Sequence, residues 1–406
     1  MIKYFKGRIS QGFVAIYSGR MILRIAGSLL GIFLPIFLYE IFGFELKYVI
    51  YYYLINYILY PLIIGWGAQY LNKIGLRRSL QINLFFGALF YVCFYFLDKI
   101  VVNTWLDPQV TDKVIILLIL SLIVNTLWRT LYWTPLHTDI AKFTSKTNRG
   151  KQLSVMEATT VLLGAIMPLI AGWVISQYSY DVLFFIAILV YLFALMPFLH
   201  LPRTRERFGW SYLETWKEFF SKERRRVVLA YMGDGAEGVV GIVIWPIFMF
   251  ELLNGNYVEV GLLSSLIVLA TMMLQLIVGR FTDSGGKRRM LHIGSILYAI
   301  GWIVKIFIIT AFQIFIASTY HSLVRIFSRT PFDALTYEKA ADQGHFVDEF
   351  TVIHEIAISL GRVVMLLLVL LLIPFFSMQW TFLIAAMASL LMNFLTDEEA
   401  IEKSRV

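Results

Sequence analysis

Apolar positions in this chain come in long unbroken runs, and twelve of them are separated by short polar breaks: residues 13–42, 46–71, 79–97, 113–140, 152–176, 181–201, 227–252, 258–280, 289–309, 311–335, 347–373 and 377–396. A helix that crosses the roughly 30 Å hydrocarbon core needs about 20 mostly apolar residues. Each run is long enough, and none alternates apolar with polar positions as a barrel strand would. The pattern predicts an all-α integral membrane protein with twelve transmembrane helices. Composition agrees, with 59% hydrophobic and 15% charged residues and a mean hydropathy of +0.73, outside the usual range of a soluble globule.

Charge then orients the chain. The net charge of +8 does not point to nucleic acid, because Lys and Arg concentrate in every second loop, as cytoplasmic segments require. Lys3, Lys6, Arg8, Lys73, Arg77, Arg78, Lys142, Lys146, Arg149, Lys151, Lys287, Arg288 and Arg289 fall on one face, while only Lys47, Lys99 and Lys113 fall on the other. Both termini are therefore expected in the cytoplasm, in the cell (inner) membrane. The start "MIKYFKGR" resembles a signal peptide's charged region, but the apolar run after it is too long and lacks a small-residue cleavage site, so it is expected to stay as the first helix. The one cysteine, Cys93, lies within the third run and rules out an intrachain disulfide.

The longest polar interval, "RTRERFGWSYLETWKEFFSKERRR", mixes charges with aromatic residues at partly helical spacing and predicts an amphipathic linker on the membrane surface. It divides the chain into residues 1–202, a linker at 203–226, and residues 227–406, with six helices on each side. The two sides repeat each other. "PIFLYEIFG" from Pro35 matches "PIFMFELLNG" from Pro246 at an offset of 211, which places Glu40 over Glu251. The same offset aligns "NKIGLRRSL" from Asn72 with "DSGGKRRML" from Asp283, and an offset of 196 pairs "LWRTLYWTP" from Leu127 with "LVRIFSRTP" from Leu323.

The turn "GRFTDSGGKRR", Gly279 to Arg289, resembles the motif between the second and third helices of the major facilitator superfamily of secondary transporters, with Gly279, Asp283, Gly286, Arg288 and Arg289 in place. The first-half copy, "AQYLNKIGLRR", keeps Gly75, Arg77 and Arg78 but has Ala68 for Gly and Asn72 for the acid. "GAIMPLIAG", Gly164 to Gly172, partly matches the helix-five motif of the antiporter branch and lacks its paired glycines. The resemblance implies two six-helix bundles that expose a midplane cavity alternately to each side. It also implies a latch: Asp283 would meet the positive start of helix five near Asn148 to Lys151. Asn72 would offer a weaker version against helix eleven.

Ionisable residues inside a bilayer are costly and usually face a cavity or a partner. Asp234 and Glu237 are three apart on helix seven and share a face. Two carboxylates on one buried face repel, which favours a proton on one of them, so they lead the proton-coupling candidates, ahead of Glu157, His354 and Glu355. The alternative is a salt bridge from them to Arg20 or Arg24. Arg129 with Glu157, and Arg325 with Glu355, stand across corresponding hairpins as structural pairs or substrate contacts. His321, Arg325 and Arg329 form a stripe at i, i+4 and i+8. Substrate-cavity candidates are Arg24, Asn125, Arg129, His321 and Arg325, with Asn56, Trp128, Trp245 and Gln275 as further lining. Glu40, Asp98 and Glu251 lie near the outer ends, where solvation is expected.

No phosphate loop, metal-ligand cluster or nucleophile motif appears, so neither enzyme activity nor a cofactor or metal is expected. The reading is a monomeric secondary transporter that moves a small-molecule substrate by alternating access, coupled to protons or another ion, with uptake or efflux open. A non-transporting receptor or scaffold and a lipid or amphipath translocator are the alternatives.

Overall fold

The computed structural model describes residues 9–101, 108–144, 149–203, 208–278, 287–342 and 347–396. Twelve long helical spans follow one another, with no strand among the described residues. The first span is Gln11–Leu30 continued by Phe33–Ile41, and the next five are Leu46–Ile74, Leu76–Val101, Pro108–Phe143, Arg149–Gln177 and Tyr180–Leu199. The seventh covers Arg225–Leu252. The eighth to eleventh are Tyr257–Val278, Lys287–Lys305, Ala311–Asp342 and Val347–Leu372, and the twelfth covers Met378–Leu395.

Ten of these helices are long and apolar enough to cross a membrane by length and composition. The two others, the ninth and tenth spans, carry Lys305, His321, Arg325 and Arg329. Polarity that weakens them as membrane segments is what they bring to the site described below.

Local sequence explains the breaks. Pro35 has no N–H to return to the carbonyl four residues earlier, and the first span is interrupted there, at Gly31 and Ile32. In the seventh span a π-helical turn, Val240–Ile244, separates Arg225–Val239 from Trp245–Leu252. Gly75 takes φ +77° between the second and third spans, a conformation that glycine adopts at no steric cost.

Two compact units emerge from the contacts. The first comprises the residues up to Phe37 together with Ile63–Gly209, and the second comprises Leu38–Leu62 together with the residues from Trp210 onward. In the first unit, Ser10 caps the first span by accepting from Phe13 N at 3.1 Å and donates to Phe143 O at 2.9 Å, which ties that span to the fourth. Asp98 was expected to be solvated; instead it is buried and accepts Asp181 N at 3.1 Å, satisfying an orphan donor at the start of the sixth span.

Within the linker, Tyr212–Phe219 is helical and opens on a capping box: Glu214 N donates to Ser211 Oγ, and Ser211 N donates to Glu214 Oε2 at 2.7 Å. Those bonds hold the exposed Glu214 carboxyl below its ordinary range. Leu213 and Phe220 are exposed, as an amphipathic surface segment requires.

Candidate functional site

The second unit encloses a polar cavity of about 360 Å³ between the seventh, eighth, ninth, tenth and eleventh spans. Its seventh-span wall runs from Asp234 to Met249, about 22 Å along a helix axis. Gly238 and Gly241 leave that wall without side chains, and the π-helical turn begins three residues after Glu237. Such turns recur at functional sites.

The two seventh-span carboxylates occupy different environments. Asp234 is buried and pairs with Arg329 of the tenth span, which also holds Asp333 at 2.9 Å. The alternative read from the sequence offered Arg20 or Arg24 as the partner; within the second unit that partner is Arg329. Arg329 takes that role because it lies one helical turn beyond Arg325 on the same face. Glu237, 2% exposed, has no cationic partner within ion-pair distance among the described residues; it accepts a hydrogen bond from Tyr298 Oη of the ninth span at 2.8 Å.

Tyr298 also organises the neighbouring wall. Its ring stacks on His321 with centroids 4.3 Å apart, and Trp302 meets the same imidazole edge-on at 4.6 Å. Lys305, 4% exposed, places Nζ 3.9 Å from the Trp245 ring centroid and 4.4 Å from that of Trp302. Among the described residues no carboxylate stands within 4.0 Å of it. Arg325 is exposed along the cavity, and Arg362 of the eleventh span lies 4.8 Å over the Tyr57 ring.

Asp234, Glu237, His321, Arg325 and Trp245 are thus brought together on the walls of one cavity. The hairpin ion pairs are not formed. Glu355 lies 4.0 Å from His354, whose ring sits 4.5 Å from that of Tyr231, and neither His354 nor Glu355 lines the cavity. In the first unit Glu157 is exposed and stands 4.0 Å from Arg20. Reach explains this: Arg20, on the first span, also contacts Met156 on the turn beside Glu157. Arg129 is buried and Asn125 half-buried on the fourth span, Arg24 is exposed, and Trp128 stacks on Tyr132 at 5.2 Å. Asn56 is buried and Gln275 exposed, and neither lines the second-unit cavity.

The proposed latch is only partly visible. Gly279, Asp283 and Gly286, with the stretch at Asn148, lie outside the described residues. Within the first unit the Asn72 amide donates to Phe208 O at 3.0 Å and accepts Phe208 N at 2.9 Å, a two-bond clamp on the linker backbone. Arg77 donates to the Leu199 carbonyl, closing the end of the sixth span, and Arg78, Arg288 and Arg289 are exposed.

Sequence reasoning missed Lys305, Tyr298, Trp302 and Arg362. The signal for Lys305 was present, since a lysine at the end of an apolar run can be a snorkelling anchor or a buried cation. Only packing against Trp245 and Trp302 decides for burial.

The family model described as Major Facilitator Superfamily matches residues 16–233 and 227–404, one segment for each half. The chain belongs to the major facilitator superfamily. A solved structure of a POT family transporter in complex with a thioalcohol conjugated peptide is similar over 96% of both chains, with 10% identity and a TM-score of 0.70. At that identity the likeness shows the fold alone. No curated protein matches the chain. An integral membrane protein built for secondary transport of a small molecule follows from the family.

Proposed function

We propose that this chain moves a small solute through the second-unit cavity by alternating access, and that Glu237 carries the coupling proton. The observation that carries the reading is the contrast on one helix face. Asp234 is neutralised by Arg329, whereas Glu237 is buried with a neutral tyrosine as its partner. A carboxylate held this way sits between opposing influences. Its burial and the cations that share its cavity are those influences. The charged and titratable groups that line the cavity with it are Asp234 on its own span, Tyr298 and Lys305 on the ninth, His321, Arg325 and Arg329 on the tenth, and Arg362 on the eleventh; the eighth span contributes Ser264 and Ile267, which do not titrate. A change in exposure of the cavity shifts this balance and lets the proton leave. The charge bias of the loops supports cytoplasmic termini in the cell membrane, and one chain supplies the complete site, which fits a monomer.

The test is made in proteoliposomes. Glu237→Gln should abolish accumulation driven by a pH difference while exchange of substrate at equal concentrations survives, because the amide mimics the protonated acid and exchange needs only reorientation of the loaded carrier. Accumulation that persists in Glu237→Gln removes Glu237 from the coupling role and moves it to Glu355 and His354. Wild-type transport indifferent to the pH difference replaces proton coupling with uniport or another ion.

A further inference from the structure

Lys305 is a buried cation whose neighbours are two indole rings, and a charge so placed is expensive unless something neutralises it. Four basic side chains and two carboxylates line the cavity. Arg329 is matched by Asp234 and by Asp333. That leaves Lys305, Arg325 and Arg362 against Glu237 alone.

The uncharged polar groups on the same walls point the same way. Trp302 Nε1, which can only donate, has no partner among the described residues, and neither do His321 Nε2 and Ser318 Oγ, each able to donate or accept, all on residues less than 10% exposed. Buried polar groups are normally satisfied. The three unmatched cations and the indole N–H outnumber the one unmatched carboxylate, and the complement of such a surface is an oxyanion. The flat faces of Trp245, Trp302 and Tyr298 beside it suit a planar body as well as a charged head.

We propose that the substrate is a small organic oxyanion whose carboxylate or phosphate group is held by Lys305 and Arg325, with Arg362 as the outlying third cation. This rests on the transport reading above and adds a sign to it. Protonation of Glu237 removes the one carboxylate that offsets these cations, so proton and anion bind more tightly together than apart, and by linkage each raises the affinity for the other. Coupling of that sign is symport of proton with anion, not exchange of a proton for a cation.

Two measurements on the purified full-length chain decide it. The first needs no ligand. In buffer without organic anion, Lys305→Met should raise the thermal midpoint, since an apolar side chain of similar length replaces an uncompensated cation. A lowered midpoint means that Lys305 is held structurally by its indoles, and the proposal fails. The second follows tryptophan fluorescence and thermal midpoint with benzoate, succinate, inorganic phosphate and glycerol phosphate, and with tetraethylammonium as the cation, at constant ionic strength. At least one anion should stabilise the wild type, more strongly at pH 5.5 than at pH 8, the carboxylates and phosphates distinguishing the two head groups. Lys305→Met and Arg325→Gln should each weaken it by about tenfold or more, and Glu237→Gln should bind it with a smaller dependence on pH than the wild type shows for the same anion. Stabilisation by tetraethylammonium and by none of the anions, or by no probe, overturns the oxyanion assignment and leaves the transport reading to its own test. Anion binding lost in Lys305→Met while Glu237→Gln still accumulates solute supports the subsite and removes Glu237 from coupling.

Discussion

At the scale of single residues, position on a helix face decides which carboxylate is structural and which is available. Asp234 and Glu237 look equivalent in sequence, yet the tenth span turns Arg329 toward the first and leaves the second to Tyr298. Removing one member of a buried pair costs more than the pair contributes, because the survivor is left charged in a low dielectric. Asp234→Asn should therefore lower stability by about 2 kcal/mol, below the usual 3 to 5 kcal/mol, since Arg329 keeps Asp333 and is one-third exposed. Combining it with Arg329→Gln should recover part of the loss. Thermal unfolding of the two single variants and the double variant, followed by fluorescence, checks this; a fully additive double variant would show that the pair is not coupled.

At the scale of elements, the seventh and eleventh spans cross where neither backbone has a side chain between them. A Cβ on Gly235 would stand 2.1 Å from the Ile358 carbonyl oxygen, and one on Gly361 would stand 2.0 Å from that of Met232. Both distances demand a backbone shift. Small residues at such crossings let membrane helices pack closely, and here the crossing sets the distance between Glu237 and the eleventh span. Gly235→Ala and Gly361→Ala should each destabilise the protein by about 1 to 3 kcal/mol, the range for overpacking. Gly238 lies one turn from Gly235 on the cavity side and has nothing within 4 Å of its Cβ, so Gly238→Ala should leave the thermal midpoint unchanged or raised. The three midpoints side by side are the measurement, and an equal loss at Gly238 would refute the contrast.

At the scale of the molecule, the second unit draws in the far end of the first span. Tyr39 donates to Glu251 and Tyr257 donates to Glu40, so the two glutamates that the repeat places in register are held by reciprocal bonds. As expected near an outer end, Glu251 is exposed and Glu40 partly so, and they border a cavity of about 560 Å³ with Phe44, Phe250, Asn254 and Gly255. Two hydroxyl–carboxylate bonds of this kind are worth about 1.5 to 3 kcal/mol each, enough to bias a local opening. Tyr39→Phe combined with Tyr257→Phe should raise the rate at which a maleimide labels a cysteine placed at Asn254 in a Cys93→Ser background, with folded yield unchanged. An unaltered labelling rate would mean that the bonds do not restrain this end.

Unaided, the sequence specified the membrane class, the twelve spans, the two-fold repeat and the inward faces of the seventh and tenth helices, because bilayer thickness and helical period impose rules that act along the chain. It also yielded Asp234 and Glu237 as proton-coupling candidates and, separately, His321 and Arg325 among the cavity candidates, since charge in an apolar run is conspicuous by its cost. Partnership was another matter. That Arg329 answers Asp234, that Glu157 meets Arg20, that Asn72 clamps Phe208, and that Lys305 is buried between Trp245 and Trp302 are outcomes of helix rotation and crossing. A rotation of one residue is about 100°, which is enough to exchange one partner for another without altering any pattern in the sequence. Tertiary packing therefore decided which charges were cancelled and which were left over, and the charges left over define the chemistry of the cavity.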